Sequence, residues 1–77
     1  MERVCITGGA GFIGSTLADR LSADGIEVVI VDDFRTGRRE FVAGLLDRPG
    51  TRLVEGDVLD QSLLEDAFAG CDWVFHL

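Results

Sequence analysis

Apolar residues fall along the chain in runs whose period alternates between strand and helix. From Arg3 to Thr7 the residues are mostly β-branched or apolar and the run stops at Gly8-Gly9, which predicts a short strand and a turn. From Phe12 to Ala23, Ile13, Leu17 and Leu21 recur every four positions with Ala18 beside them, while Asp19 and Arg20 fall opposite. That spacing predicts an amphipathic helix stopped at Gly25. Glu27 to Val31 is an unbroken apolar run after one acid, too short for a helix and suited to a parallel strand covered on both faces. A polar stretch from Asp33 to Arg39 leads into helix-compatible spacing from Glu40 to Leu46, broken at Arg48-Pro49-Gly50. Thr51 to Glu55 reads as a third strand, and Asp60 or Ser62 can cap a third helix with Leu63, Leu64, Ala67 and Phe68 on one face. Gly70 closes that helix, and Trp73 to Leu77 is a fourth, almost wholly apolar strand.

The order β-α-β-α-β-α-β with short connections implies right-handed crossovers and a parallel sheet, hence an α/β fold with expected strand order 3-2-1-4. At 77 residues the chain has about half the usual length of a domain, and a domain so small buries only about 60% of its unfolded surface. A fourth strand that ends the sequence without a polar tail adds to the expectation that the chain is the truncated front of a longer protein.

Composition narrows the function classes. Hydrophobic residues make up 47% and charged ones 27%, as in a folded soluble domain. Acids outnumber bases 14 to 7, which argues against a nucleic-acid partner, since that binding runs on displaced counterions. No apolar run approaches the roughly 18 residues of a membrane span, and no signal-peptide core follows Met1. Cys5 and Cys71 match no metal-ligand spacing and read as core thiols in a reducing compartment, so the expected location is the cytoplasm and no metal site is expected. All seven basic residues are Arg, and the chain contains neither Lys nor Tyr, so chemistry that needs either is excluded within it.

The candidate chemistry lies between the first strand and first helix, at Thr7-Gly8-Gly9-Ala10-Gly11-Phe12-Ile13-Gly14. There a dinucleotide pyrophosphate would rest on helix-terminal N–H groups, with glycines needed for the turn, for close phosphate approach and for helix–strand packing. Gly9, Gly11 and Gly14 fit G-x-G-x-x-G; Gly8, Gly11 and Gly14 fit G-x-x-G-x-x-G; the spacing alone does not choose. Asp32 follows Gly14 by 18 residues at the end of the second strand, where a carboxylate can accept from both adenosine ribose hydroxyls and repel a 2′-phosphate. That favours NAD over NADP, although Arg35, Arg38 and Arg39 follow, either to neutralise such a phosphate or as a solvated loop. Asp57 can accept from an adenine amino group with Val58 against the ring, or simply turn the chain into the next helix. His76 reads as a satisfied core histidine, and Trp73 and Phe75 as core or interface residues.

These segments, together with Ser15, Asp32-Asp33-Phe34-Arg35-Thr36-Gly37, Glu55-Gly56-Asp57-Val58 and Val74-Phe75-His76-Leu77, resemble the extended short-chain dehydrogenases/reductases, and within them the NAD-dependent nucleotide-sugar epimerases and dehydratases such as UDP-glucose 4-epimerase. The resemblance implies a partial Rossmann fold and the Gly8, Gly11, Gly14 register. It places the N–H groups of Phe12 and Ile13 on the pyrophosphate, Asp32 on the ribose, Thr36 and Gly37 beside the adenosine, and Asp57 and Val58 at adenine. Many relatives carry Asn where this chain has Asp33, which adds a charge beside the ribose. The family's Tyr-x-x-x-Lys acid–base pair is absent, so no catalytic residue is expected among these 77.

The implied parent is an NAD-dependent nucleotide-sugar epimerase or dehydratase working by transient hydride transfer at a sugar carbon, with residues 1–77 its inactive cofactor-binding front. The alternative is a complete small dinucleotide-binding or structural module without catalysis. Either way the open edge of the fourth strand leads us to expect a homo-oligomer joined there.

Overall fold

The computed structural model of the chain describes residues 2–77. Its elements alternate as β1 (Arg3–Thr7), α1 (Phe12–Ala23), β2 (Glu27–Asp32), α2 (Arg39–Leu46), β3 (Thr51–Glu55), α3 (Gln61–Phe68) and β4 (Trp73–His76). The four strands are parallel in the order β3-β2-β1-β4, as the pattern of apolar runs predicts. The first two crossovers carry the chain outward from β1 to β3; the third returns it past β1 to β4. Since each crossover is right-handed, reversing the direction of travel sends the third helix to the opposite face.

Side-chain alternation along the strands agrees with that division. Val4, Ile6, Val28 and Ile30 bury with Ala18 of α1 and with Val42 and Leu45 of α2. Their odd-numbered neighbours Cys5, Val29 and Val31 bury with Ala67 of α3. β1 and β2 are thus covered on both sides, which is why their apolar runs do not alternate. Thr7 stands level with Val31 on one side and His76 on the other, so three strands end together and the chain must leave the sheet at that rim.

Two expectations are corrected. Ile13, expected on the buried stripe of α1, is 71% exposed, because the first turn of that helix stands over a cleft at the strand ends; the buried contact face is Gly14, Ser15 and Ala18. Trp73 is 62% exposed, and Phe75 and His76 are exposed too, so none of the three is a core residue. Among the described residues β4 pairs only with β1, and neither core cluster includes a β4 side chain. His76 is nevertheless satisfied, its Nδ1 lying 2.7 Å from Thr7 Oγ1. Of the two candidate caps for α3, Asp60 takes the position and accepts the Leu63 N–H at 3.2 Å. No helix of the described residues is long and apolar enough to cross a membrane.

Cys5 and Cys71 are unpaired; Cys5 is buried, whereas Cys71 lies half-buried at the margin of the α3-side cluster. Burial, with Cys71 nearby, pushes the Cys5 thiol up from 9.0 to about 12. The folded state therefore prefers the neutral thiol: its contribution to stability is whole below pH 9 and is lost as pH rises toward 12. Alkylation of Cys5 is expected only with unfolding at pH 8, and a thiol-labelling time course with peptide mapping reads this directly.

Candidate functional site

The chain leaves β1 through a turn that only glycine makes without strain: Gly8 has φ +74°, its N–H donates to Val31 O at 2.7 Å, and its carbonyl accepts from Gly11 N–H at 3.1 Å. Gly11 then caps α1 without a side chain, and the first turn of the helix carries no acid. Ser15 is the first residue whose N–H finds a carbonyl of this turn, Gly11 O at 2.9 Å. The N–H groups of Phe12, Ile13 and Gly14 have no intrahelical acceptor, and the positive end of the helix dipole stays uncompensated. α3 shows the contrast, since there the chain supplies a carboxylate cap.

The glycines divide by what surrounds them. A Cβ at Gly14 would run into Gly8 O and lie 2.8 Å from Gly9 Cα, so glycine here lets α1 press against the turn. A Cβ at Gly9 would lie 2.6 Å from Ile30 Cγ2, which turns Gly9 to the core. Gly11 is different: its Cβ would meet only Gly8 O, at 3.5 Å, an ordinary contact. Nothing in the chain's own packing demands glycine at Gly11, and the space it leaves opens into the cleft. Gly8, Gly11 and Gly14 line that cleft and Gly9 does not, which is the spacing G-x-x-G-x-x-G.

Asp32 forms the floor on the β2 side. The residue is 7% exposed; Oδ2 accepts Ala10 N–H at 2.9 Å and Oδ1 accepts Phe34 N–H at 2.7 Å. One side chain thus ties the glycine turn to the loop after β2. That loop is strained: Phe34 has φ +61°, a left-handed conformation a bulky residue rarely adopts, and the Arg39 guanidinium sits 4.3 Å from its ring centroid. Gly37 packs behind the wall, where a Cβ would lie 2.9 Å from Ala10 Cβ and 3.0 Å from Asp32 Oδ2.

Together Gly8, Gly11, Phe12, Ile13, Gly14, Asp32, Asp33, Thr36, Val58 and Leu77 line a cleft of about 530 Å³, within the size range of small-molecule sites. Of the residues singled out in the sequence, Gly37 and Asp57 are not in this lining. Asp57 accepts Leu59 N–H at 2.9 Å and stands 3.6 Å from Arg35 Nη2, beside Val58 at the rim. Leu77 was not among the candidate residues; strand order held the signal, because placing β4 next to β1 sets the residue just past β4 against Gly8. No cluster of three or more metal-ligating side chains occurs among the described residues.

Such a cleft opens at the carboxyl ends of β1 and β4, the point at which the crossovers reverse direction and open α/β sheets take their ligands. It offers unpaired N–H groups for an anion, a buried carboxylate for hydroxyls and an apolar wall for a ring.

Comparison with known proteins finds relatives of the same fold. UDP-glucuronic acid decarboxylase 4 of Arabidopsis thaliana is 45% identical over 75 residues, 97% of this chain but 16% of that protein. The enzyme WbmH of Bordetella bronchiseptica, solved in complex with NAD+, superposes with a TM-score of 0.89 at 40% identity over 100% of this chain and 25% of its own. UDP-glucose 4-epimerase of Thermus thermophilus, solved with NAD, gives 0.79 at 39% identity over 96% of this chain and 23% of its own. The chain therefore spans about a sixth of the length of the curated relative and about a quarter of these solved chains. With residues 4–77 matched by its profile, the chain belongs to the NAD dependent epimerase/dehydratase family.

Proposed function

We propose that residues 1–77 are the front part of a dinucleotide-binding Rossmann domain, the portion that holds the adenosine and pyrophosphate of NAD, in a cytoplasmic enzyme that converts a nucleotide sugar. The observation that carries this reading is Gly11: the chain leaves out a side chain where its own packing would accept one, and the space so kept lies over three unpaired N–H groups of α1. A diphosphate fits there through hydrogen bonds and helix dipole together.

The other residues complete the fit. Each Asp32 oxygen already accepts one backbone N–H, and a carboxylate oxygen has a second acceptor position, so the pair can still receive both ribose hydroxyls. Val58 supplies an apolar wall for adenine, Asp57 beside it keeps acceptor capacity toward the adenine amino group, and Asp33 and Thr36 flank the adenosine. Gly37 serves from behind, by letting the loop close on Asp32. Bound in this way, NAD supplies reversible oxidation of a sugar carbon, the chemistry that epimerisation, dehydration and decarboxylation of a nucleotide sugar have in common. The unpaired thiols suit a reducing compartment. The exposed side chains of Trp73, Phe75 and Leu77 support self-association of the isolated segment along β4.

A turnover assay tests this reading. The protein at its full encoded length is expected to convert a UDP-sugar, to lose that activity when stripped of NAD, and to regain it on NAD addition. Residues 1–77 alone, with neither Tyr nor Lys, are expected to give no product by NMR. Conversion by the 77-residue segment, or conversion by the full-length protein that ignores NAD, contradicts the proposal.

A further inference from the structure

The segment that follows β2 carries Arg35, Arg38 and Arg39, and each of these cations faces a carboxylate. Arg39 Nη2 lies 2.7 Å from Glu55 Oε1 while its guanidinium covers the Phe34 ring; Arg38 Nη1 lies 3.4 Å from Glu40 Oε1. Arg35 is held more completely. Its N–H donates to Asp33 Oδ1 at 2.9 Å, its Nε lies 3.1 Å from Asp33 Oδ2, and its Nη2 stands 3.6 Å from Asp57 Oδ2. Both oxygens of Asp33 are therefore turned to one residue, and that residue reaches from the loop after β2 to the loop after β3.

Asp33 lines the cleft next to Asp32, and Arg35 is the cation bound to its carboxylate, at the side of the cleft where a ribose 2′-substituent would lie. A 2′-phosphate would bring a charge of about −1.5 to −2 there and would need a free, planar donor to meet it. We propose that Arg35 is a specificity-determining residue held out of use: its capture by Asp33 and Asp57, and not the Asp32 carboxylate alone, keeps 2′-phosphorylated dinucleotides from the cleft. The inference rests on the reading of this cleft as the adenosine site. Each contact is solvent-exposed, with the Arg35 side chain 77% accessible, and an exposed ion pair is weak taken singly, so the hold rests on the two carboxylates acting together. Neutralising Asp33, the nearer of the two, therefore loosens the guanidinium, whose length and fork suit a phosphate.

Calorimetric titration of NAD and NADP into the full-length protein decides the matter, with thermal unfolding confirming that each variant folds. Asp33→Asn keeps an oxygen for the Arg35 N–H and is expected to move the NADP-to-NAD affinity ratio by about tenfold toward NADP, with a steeper salt dependence for NADP. Arg35→Ala alone is expected to give no shift toward NADP, because the guanidinium is already engaged and its loss bares Asp33 and Asp57. The double variant, Asp33→Asn with Arg35→Ala, is expected to lose most of the gain. A gain that persists in the double variant means that only repulsion was lifted, and overturns the assignment, as does an Asp33→Asn ratio equal to the native one. If the native protein binds neither dinucleotide, the adenosine-site reading itself fails and this inference falls with it; NAD binding with an unmoved ratio removes this inference alone.

Discussion

Gly14→Ala is expected to destabilise the fold severely, whereas Gly11→Ala three residues earlier is expected to leave it standing and weaken cofactor binding. At Gly14 the added methyl meets backbone on every side, Gly8 O, Gly9 Cα at 2.8 Å and Gly8 C at 3.1 Å, and backbone held by the Gly8–Val31 hydrogen bond cannot move aside. Overpacking of this kind costs about 1–3 kcal/mol. A domain has only about 0.05–0.15 kcal/mol of stability per residue, so in a chain of 77 that is a large fraction of the whole. Gly11 has φ −77° and ψ 173°, open to any residue, and its methyl would make one ordinary contact. The cost there is confined to a poorer helix cap, under about 1 kcal/mol. A methyl intruding on bound phosphate should nonetheless weaken NAD by roughly ten- to hundredfold, the same overpacking cost now charged to the complex. Denaturant unfolding and calorimetry of the two variants separate the roles.

Asp32→Ala is expected to damage both stability and binding, and Asp32→Asn to damage binding with a smaller loss of stability. The alanine leaves the N–H groups of Ala10 and Phe34 without their acceptor at a site 7% exposed, at about 1–3 kcal/mol for each group left unsatisfied. It also frees Phe34 from the hydrogen bond that holds it at φ +61°. The asparagine keeps the shape and an acceptor for one of the two N–H groups, while its amide nitrogen meets the other donor to donor and offers no acceptor to the second ribose hydroxyl. NAD affinity should fall in both, and discrimination against NADP should relax most where the charge is lost without collapse, in Asp32→Asn. Melting temperatures beside NAD and NADP titrations check this; unchanged NAD affinity in Asp32→Asn would show that the carboxylate serves the loop and not a ribose.

The strand order was legible because apolar runs of strand length, spaced by helix-period segments, leave few right-handed topologies. Burial of β4 was not, since a run such as Trp73-Val74-Phe75 reads identically whether or not a helical layer covers it. Ile13 was misplaced for a related reason: a period of four marks a face, and the first turn of α1 reaches beyond the sheet that the rest of that face covers. At the site, residue types and spacing picked out the turn from Gly8 to Gly14 and Asp32, while the glycine register, open on spacing alone, came from the resemblance and has its physical reason in the packing of Gly9 against Ile30. The double tie of Asp32 to Ala10 and Phe34 leaves no trace in periodicity, nor does the left-handed Phe34, a position where a bulky residue is the last one expected.

The most direct measurement is an amide-resolved NMR titration of ADP-ribose into the protein. The signals of Phe12, Ile13 and Gly14, whose N–H groups lack intrahelical partners, should shift most and together, followed by those of Asp32, Asp33 and Val58, and Gly11→Ala should move the same response to roughly ten- to hundredfold higher ligand concentration. Binding that instead moves residues at the opposite end of the sheet, such as Leu21, Ile26 and Trp73 around their own apolar groove, would contradict the assignment of the glycine cleft.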